Sequence, residues 1–230
     1  MADAKIILAI FDFDGTLTTG HMWSGIAAHH REKKIKRLAL YYYFFSHLPL
    51  WLAAKAKIYD DAKDQIKWGE DLPSLIKGFT VGEANQLFEW VADKYFMSLL
   101  RPEILRRFGE HRKQGQKTMI LSGMFTDFLE VMMSRIGVDY VVGTKLEIAN
   151  NLYTGKIIKP LCFGEEKARY LNEYIREKHL EVDFRRSTAY GDSIYDVPVF
   201  RLVGNPVAVY PEKTLFRMAL SRKWQIIGEG

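Results

Sequence analysis

The sequence is poor in cysteine, and we do not expect its first residues to act as a signal peptide. Its 230 residues include a single cysteine, Cys162, which excludes an internal disulfide framework and is typical of a reducing compartment. We expect Cys162 to be a small buried residue. The first apolar stretch is interrupted by an aspartate and lacks the small-residue cleavage pattern of a signal peptide. We therefore expect a cytoplasmic protein.

The sequence also lacks an uncharged run long enough to span a membrane. Residues 38–54 (LALYYYFFSHLPLWLAA) hold no charge and have basic residues on both sides, but a spanning helix needs roughly 20 apolar residues. We expect a buried or interfacial helical pair that is broken near Pro49. The aromatic residues of this region, Trp23, Tyr41 to Phe45 and Trp51, are expected mostly to pack inside their own domain. The alternative is peripheral contact with a membrane or with an apolar phosphate monoester.

Low-complexity linkers and internal repeats are missing as well. Hydrophobic residues make up 48% and charged residues 27% of the chain, which excludes disorder for most of it. The net charge of +5 favours anionic partners, namely phosphorylated substrates, acidic membranes or nucleic acid. No nucleic-acid-binding motif accompanies the basic cluster His29–Arg37, and we do not expect such a partner.

The pattern of apolar residues predicts an α/β protein. A continuous apolar stretch at residues 4–13 reads as a strand covered on both faces. Strands and helices alternate again after Leu100, whereas the intervening segment is compatible only with helices. We predict a Rossmann-like, doubly wound parallel sheet with an inserted all-helical cap. The core would comprise residues 1–17 and 101–230, and the cap residues 18–100.

Chemically active residues stand at the predicted strand ends and at one helix start. They are, in chain order, Asp12, Asp14, Ser122, Gly123, Lys167, Asp192 and Asp196. Each is common in turns or on exposed helices, but together they would meet at one edge of a parallel sheet. The aspartates would repel one another without a hard divalent cation, for which Mg²⁺ is the usual choice beside phosphate. The hydroxyl, the lysine and backbone amides could hold a phosphoryl group.

Four segments carry a resemblance to a known family. "DFDGTLT", "ILSG", "GEEKA" and "AYGDSIYD" resemble the four motifs of the haloacid dehalogenase (HAD) superfamily, in its phosphoserine-phosphatase-like branch with a helical cap. "LYTGKI" and the C-terminal segment are similar to a bacterial phosphatase subgroup of that branch. The resemblance implies a Mg²⁺-dependent phosphatase. The second aspartate, Asp14, is a residue that the dehalogenases lack, and it excludes dehalogenation.

The resemblance also implies a role for each matching residue. Asp12 would be the nucleophile and form an aspartyl-phosphate, while Asp14 would act as general acid and then general base. Lys167 would neutralise charge, and Ser122 with the amide of Gly123 would bind the phosphoryl oxygens.

The family's metal position carries over in the same way. The resemblance implies that Mg²⁺ is held by Asp12, the backbone carbonyl of Asp14 and Asp192. Asp196 would act from close by, through water or Lys167. Gly15 would provide the sharp exit from the first strand.

The substrate is expected to be a small or lipid-linked phosphate monoester. Phosphoserine phosphatases have a glutamate shortly after the first motif, but "TLTTGHMW" holds no acidic residue, so phosphoserine is an alternative only. His21 could face the site. The remaining alternatives are phosphotransfer, as in a mutase, and a non-catalytic phosphate-binding module.

Overall fold

A computed structural model, which describes residues 5–228, contains a six-stranded sheet and a separate hairpin. The strands are β1 Leu8–Phe11, β2 Lys117–Phe125, β3 Tyr140–Thr144, β4 Leu146–Ala149, β5 Leu152–Ile157, β6 Thr188–Gly191, β7 Asn205–Val209 and β8 Gln225–Ile227. The sheet order is β3-β2-β1-β6-β7-β8 with every pair parallel, while β4 and β5 form an antiparallel hairpin. The predicted doubly wound α/β fold is confirmed.

Helices surround the sheet and fill the long connection between β1 and β2. They are α1 Met22–Glu32, α2 Arg37–Lys55, α3 Asp61–Asp71, α4 Val81–Val91, α5 Pro102–Lys113, α6 Thr126–Ile136, α7 Glu165–Glu177, α8 Val197–Phe200 and α9 Lys213–Arg222. Local chemistry sets several ends. Thr80 and Glu83 form a capping box at the start of α4, Pro102 opens α5, and Gly137 ends α6 in a left-handed conformation.

The central strand β1 fixes where ligands can bind. All four of its residues are buried, as expected for a strand with parallel neighbours on both sides. The chain builds β2 and β3 on one side of β1 and then returns to β6 on the other. A reversal of strand order creates a crevice at the carboxyl ends of the strands. The end of β1 therefore lies in that crevice.

The uncharged segment differs from its prediction. It forms one helix, α2, which passes through Pro49 without ending. Pro49 removes the hydrogen bond to the carbonyl of Phe45, but both residues are exposed, so water can reach that carbonyl. The break falls earlier, at Lys34 and Lys36, which have positive φ angles. Within residues 5–228, no helix is long and apolar enough to cross a membrane.

Paired connections join the helical insert to the sheet. The amide of Thr19 donates to the carbonyl of Leu99 at 3.1 Å, and the amide of Arg101 donates to the carbonyl of Leu17 at 2.9 Å. The two crossing points therefore lie side by side. We propose on this basis the division expected from the sequence, with residues 18–100 as cap and residues 1–17 and 101–230 as core. The predicted first strand begins at residue 4, and residues 1–4 lie outside the described part of the chain.

An aromatic cluster ties the cap to the core. Phe13, Phe88, Phe96 and Phe128 are fully buried. The ring of Phe128 lies 5.8 Å from that of Phe13, 5.1 Å from that of Phe96 and 6.2 Å from that of Phe88. The pairs of Phe128 with Phe13 and Phe88 pack edge to face, which stabilises beyond the area that they bury.

Replacement of Phe128 by alanine should therefore destabilise cap and core together. We expect Phe128→Ala to lower the free energy of unfolding by about 3–5 kcal/mol, because it leaves a cavity among buried rings. Urea unfolding followed by fluorescence measures the change. Phe216→Ala, at a position that is 36% exposed, is the control and should cost less than about 1 kcal/mol. Equal losses in the two variants would contradict the role of the cluster.

Candidate active site

A buried ion cluster lies at the carboxyl ends of the central strands. Asp12 directly follows β1, Lys167 lies in the first turn of α7, and Asp196 ends a short 3₁₀ helix after β6. The Nζ atom of Lys167 donates to Oδ1 of Asp12 at 2.7 Å and to Oδ1 of Asp196 at 2.5 Å. All three residues are buried. Asp196 therefore pairs with Lys167 directly, which is one of the two routes expected for it.

The second oxygen of Asp196 holds the loop after β6 in place. It accepts hydrogen bonds from the amides of Asp192 and Ser193, both at 3.1 Å. These contacts place the Asp192 side chain beside Asp12. Carboxylate oxygens of Asp12, Asp192 and Asp196 all lie within 4.8 Å of one another. Three carboxylates at this separation could hold a metal ion.

Burial dominates the electrostatics of the carboxylates. It raises the pKa of Asp12 to about 6, although Lys167 acts in the opposite direction. Burial and the neighbouring charge of Asp12 raise the pKa of Asp14 to about 8 and that of Asp192 to about 8. Burial lowers the pKa of Lys167, but Asp12 and Asp196 more than offset it, so this pKa lies above its usual value. The positive charge of Lys167 therefore does not balance the buried carboxylates of the cluster.

The turn after β1 brings Asp14 and Asp192 into the crevice. Gly15 has a φ of +80°, and a Cβ atom there would overlap the Asp192 carboxylate. The hydroxyl of Thr16 donates to Oδ1 of Asp192 at 3.0 Å. The Oδ1 atom of Asp14 is buried and has no hydrogen-bond partner. The expected sharp exit at Gly15 is therefore present, and it leaves an acid group without a protein partner.

Ser122 and Gly123 lie across the crevice from the loop after β6. Strand β2 continues through both residues, and its register with β3 shifts between Leu121 and Phe125. The amide of Met124 donates to the Ser122 hydroxyl at 3.3 Å. Ser122 is buried, and Gly123 is half-buried. Both line the cavity that also exposes Asp12 and Lys167.

This cavity has a volume of about 830 Å³, with a polar floor and an apolar wall. The floor is lined by Asp12, Asp14, Ser122, Gly123, Lys167 and Asp192. The structure therefore brings together every residue predicted for chemistry or binding except Asp196, which lies behind Lys167. Its other wall comes from the cap and is formed largely by apolar side chains, which are Trp23, Phe44, Phe45, Leu48, Trp51 and Trp68. His21 also lines it, as the sequence suggested.

The expectation that most cap aromatics pack internally is wrong. Tyr43 is buried against the rings of His47 and Trp68, but Tyr41, Tyr42 and Phe45 are each more than 60% exposed. The reason is that α2 is apolar on all sides, so one face must remain outside when another packs on the cap. Cys162, by contrast, is fully buried as predicted, and burial raises its pKa to about 12.

Sequence reasoning missed several polar residues of the site, among them Asp64 and Thr16. Asp64 lies on α3, is only 4% exposed and lines the cavity, and its Oδ1 atom has no hydrogen-bond partner. Its sequence context, DDAKDQ, reads as an ordinary charged helix start and contains no signal for a site. Thr16 could have been found, because it belongs to the first motif, but its contact with Asp192 depends on the tertiary fold.

Comparison with known proteins identifies the family. A family model described as haloacid dehalogenase-like hydrolase matches residues 9–201. Phosphoserine phosphatase SerB1 of Mycobacterium tuberculosis is 27% identical over 227 residues, which cover 95% of this chain and 69% of that protein. The chain therefore belongs to the haloacid dehalogenase-like hydrolases, and the predicted family is confirmed.

Solved structures share the fold. A protein of unknown function from Bordetella pertussis Tohama I matches with a TM-score of 0.82 at 21% identity, over 98% of this chain and 99% of that one. A phosphoserine phosphatase determined as a phospho-aspartyl intermediate analogue matches with a TM-score of 0.63 at 18% identity, over 99% of this chain and 95% of that one. At these identities the likeness concerns the fold.

The raised pKa of Asp192 makes the stability of the metal-free protein depend on pH. Burial raises this pKa to about 8, whereas an unfolded aspartate titrates near about 4. Between pH values of about 4 and about 8, Asp192 is protonated in the folded state but ionised in the unfolded state. Its contribution to the free energy of unfolding therefore falls as pH rises. Asp192→Asn should therefore gain stability relative to wild type from about pH 5 to about pH 8, by at most about 1.4 kcal/mol per pH unit.

Urea unfolding of both proteins in chelator measures this difference. The asparagine keeps an oxygen that can accept from Thr16, so the variant mainly removes the titrating group. Parallel stability curves for the two proteins across that pH range would contradict a buried, proton-holding Asp192.

Proposed function

We propose that this member of the haloacid dehalogenase-like hydrolases is a Mg²⁺-dependent phosphatase that hydrolyses a phosphate monoester through an aspartyl-phosphate at Asp12. The observation that carries the proposal is the buried ion pair of Asp12 and Lys167 on the floor of a cavity that also exposes Asp14 and Ser122, with Asp196 bound to Lys167 from behind. The name of the mycobacterial relative, a phosphoserine phosphatase, supports phosphate chemistry.

Asp12 is the proposed nucleophile because it ends the central strand with its carboxylate towards Lys167. Lys167 stays protonated beside two carboxylates, so it offers a fixed positive charge where the phosphoryl group would gain negative charge. The hydroxyl of Ser122 and the amide of Gly123 would hold the transferring oxygens from the opposite side. Asp196 positions Lys167 through their ion pair.

Asp14 is the proposed general acid and base. Its raised pKa of about 8 allows it to carry a proton at neutral pH, to give that proton to the leaving oxygen, and then to take one from the attacking water. Its unpartnered Oδ1 atom leaves an oxygen free for such an exchange. Two neighbouring carboxylates would thus have opposite protonation states, which suits one nucleophile and one acid.

The residues of the cluster fit a hard divalent ion. Asp12 and Asp192 provide oxygens within 4.8 Å of one another, and the site is short of positive charge, since burial raises both of their pKa values. We assign Asp12, Asp192 and the backbone carbonyl of Asp14 as the ligands. Asp196 is less available, because its oxygens are bound to Lys167 and to two amides. Bound Mg²⁺ would neutralise phosphate charge.

The cavity favours a monoester with an apolar portion and a hydrogen-bond donor. Apolar side chains of the cap face the phosphate-binding floor, and such a wall gains little from a small, fully polar leaving group. Asp64 interrupts the wall with a buried carboxylate, whose Oδ1 atom has no hydrogen-bond partner although the indole of Trp68 lies beside it. We propose that this oxygen accepts from a hydroxyl or ammonium group of the substrate. The same observation keeps phosphoserine as a second candidate, because its ammonium could occupy that place.

Substitution of either acid of the first motif should impair turnover, but to different extents. We expect Asp12→Asn to release no phosphate and Asp14→Asn to lose about 10²–10⁴-fold in kcat. Wild-type turnover should stop in chelator and return with Mg²⁺. Phosphate release from a panel of monoesters measures all of these effects, with the exposed Asp61→Asn as a control of unchanged activity. Full activity of Asp12→Asn would refute the mechanism.

The same panel separates hydrolysis from the alternatives. Transfer of phosphate to an added alcohol or sugar, in place of release, would indicate a mutase-like phosphotransferase. Binding of phosphate esters with no turnover of any ester by folded wild type would indicate a non-catalytic module.

Asp64 should affect only substrates that carry a donor. We expect Asp64→Asn to lower kcat/KM by about tenfold for esters with a hydroxyl or amine near the phosphate, since one buried hydrogen bond is weakened. p-Nitrophenyl phosphate has no such donor and should be turned over unchanged. Equal losses on both kinds of ester would mean that Asp64 supports the fold and not recognition. Asp61→Asn, on the same helix, is the matched control.

A further inference from the structure

Helix α2 has an apolar face with no partner in the described chain. Leu40, Tyr43, His47 and Ala54 are buried against the cap. The outer face carries large exposed apolar side chains, which we call the α2 stripe: Leu38, Tyr41, Tyr42, Phe45, Leu48, Trp51 and Leu52. Leu38 is 85%, Tyr42 75% and Phe45 68% exposed. A helix that is apolar on all sides is normally covered on all sides.

The spacing shows that the α2 stripe is one continuous surface. Positions 41, 45, 48 and 52 follow the three- and four-residue steps of one helix face, and positions 38 and 42 form the adjoining row. The rings of Tyr41 and Phe45 stack at 6.4 Å. Contiguous exposed apolar surface of this kind marks an interaction site.

Positive charge borders the α2 stripe at both ends. Lys34 and Arg37 are exposed at its start, and Lys55 and Lys57 at its end. The sequence has no acidic residue between Glu32 and Asp60. A second copy of this chain would bring like charges together, so self-association on this face is disfavoured. An apolar stripe with aromatic residues and a basic border matches the chemistry of an anionic lipid surface.

The α2 stripe is also continuous with the catalytic cavity. Phe45, Leu48 and Trp51 belong to the stripe and at the same time line the cavity that holds Asp12 and Ser122. A molecule could therefore pass from the stripe to the phosphate-binding floor while its apolar part stays against apolar side chains. This continuity distinguishes a lipid surface from a protein partner, which would need no route into the cavity.

We propose that the α2 stripe docks on anionic membranes and that the substrate is an amphiphilic phosphate monoester taken from that surface. The second part rests on the proposed function, whereas the docking does not. The helix would lie in the plane of the interface, because no helix within residues 5–228 can span a bilayer. The apolar chain of the substrate would lie along Phe45, Leu48 and Trp51.

Vesicle co-sedimentation tests the docking. Wild type should bind vesicles of phosphatidylcholine and phosphatidylglycerol in equal parts, bind those of phosphatidylcholine alone more weakly, and release with added salt. The double variant Leu38→Gln/Tyr42→Gln lies outside the cavity and should weaken binding about tenfold. Lys55→Glu/Lys57→Glu should do the same at low salt. Controls at exposed positions elsewhere, Leu220→Gln and Lys113→Glu, should bind like wild type.

Turnover separates this proposal from the proposed function. Leu38→Gln/Tyr42→Gln should hydrolyse soluble p-nitrophenyl phosphate as wild type does, which also shows that it folds, and should lose about tenfold on lysophosphatidate held in the same anionic vesicles. Hydrolysis of the soluble ester without any vesicle binding would overturn the docking and leave the phosphatase standing. Vesicle binding with no hydrolysis of any ester would uphold the docking and overturn the substrate.

Two further results would also overturn the docking. One is vesicle binding that the stripe and lysine variants do not change. The other is concentration-dependent self-association that Leu38→Gln/Tyr42→Gln removes, because the stripe would then be covered by a second copy.

Discussion

The ion pair that Lys167 makes with Asp12 and Asp196 is the contact on which the site depends. Among residues 5–228, Lys167 is the one positive side chain paired with the buried carboxylates of Asp12 and Asp196, and an isolated buried carboxylate would be strongly disfavoured. Lys167 offsets only part of that cost, since the pKa values of Asp12, Asp14 and Asp192 all remain raised. The remaining charge imbalance is what suits the floor of the cavity to a divalent ion and a phosphoryl group.

The topology explains how residues far apart in the chain reach this point. Strand β1 lies between β2 and β6, so the ends of all three open into one crevice. The loop after β6 is held by Asp196 through two backbone amides, while Gly15 gives the turn after β1 the space to approach Asp192. The cap then closes the crevice with an apolar wall. The proposed chemistry and the proposed substrate selectivity thus reside in different parts of the molecule.

The sequence predicted the core and its motifs well, because strand ends in a parallel sheet must meet at one edge. Asp12, Ser122 and Asp192 follow from that rule. The structure of the cap was harder to predict from the sequence. The unbroken helix through Pro49 depends on solvent at the freed carbonyl, and the cavity position of Asp64 depends on how α3 packs. The outward face of α2 could not be foreseen, since its apolar residues surround the whole helix.

Phosphorylation of Asp12 during turnover is the step on which the proposed mechanism depends. Acid quenching of the wild-type enzyme during steady-state hydrolysis, followed by mass spectrometry of its peptides, detects it. We expect the mass of one phosphoryl group on the peptide that contains Asp12, with no such adduct in Asp12→Asn. Sustained phosphate release with the adduct on another residue, or with full turnover in Asp12→Asn, would contradict Asp12 as the nucleophile.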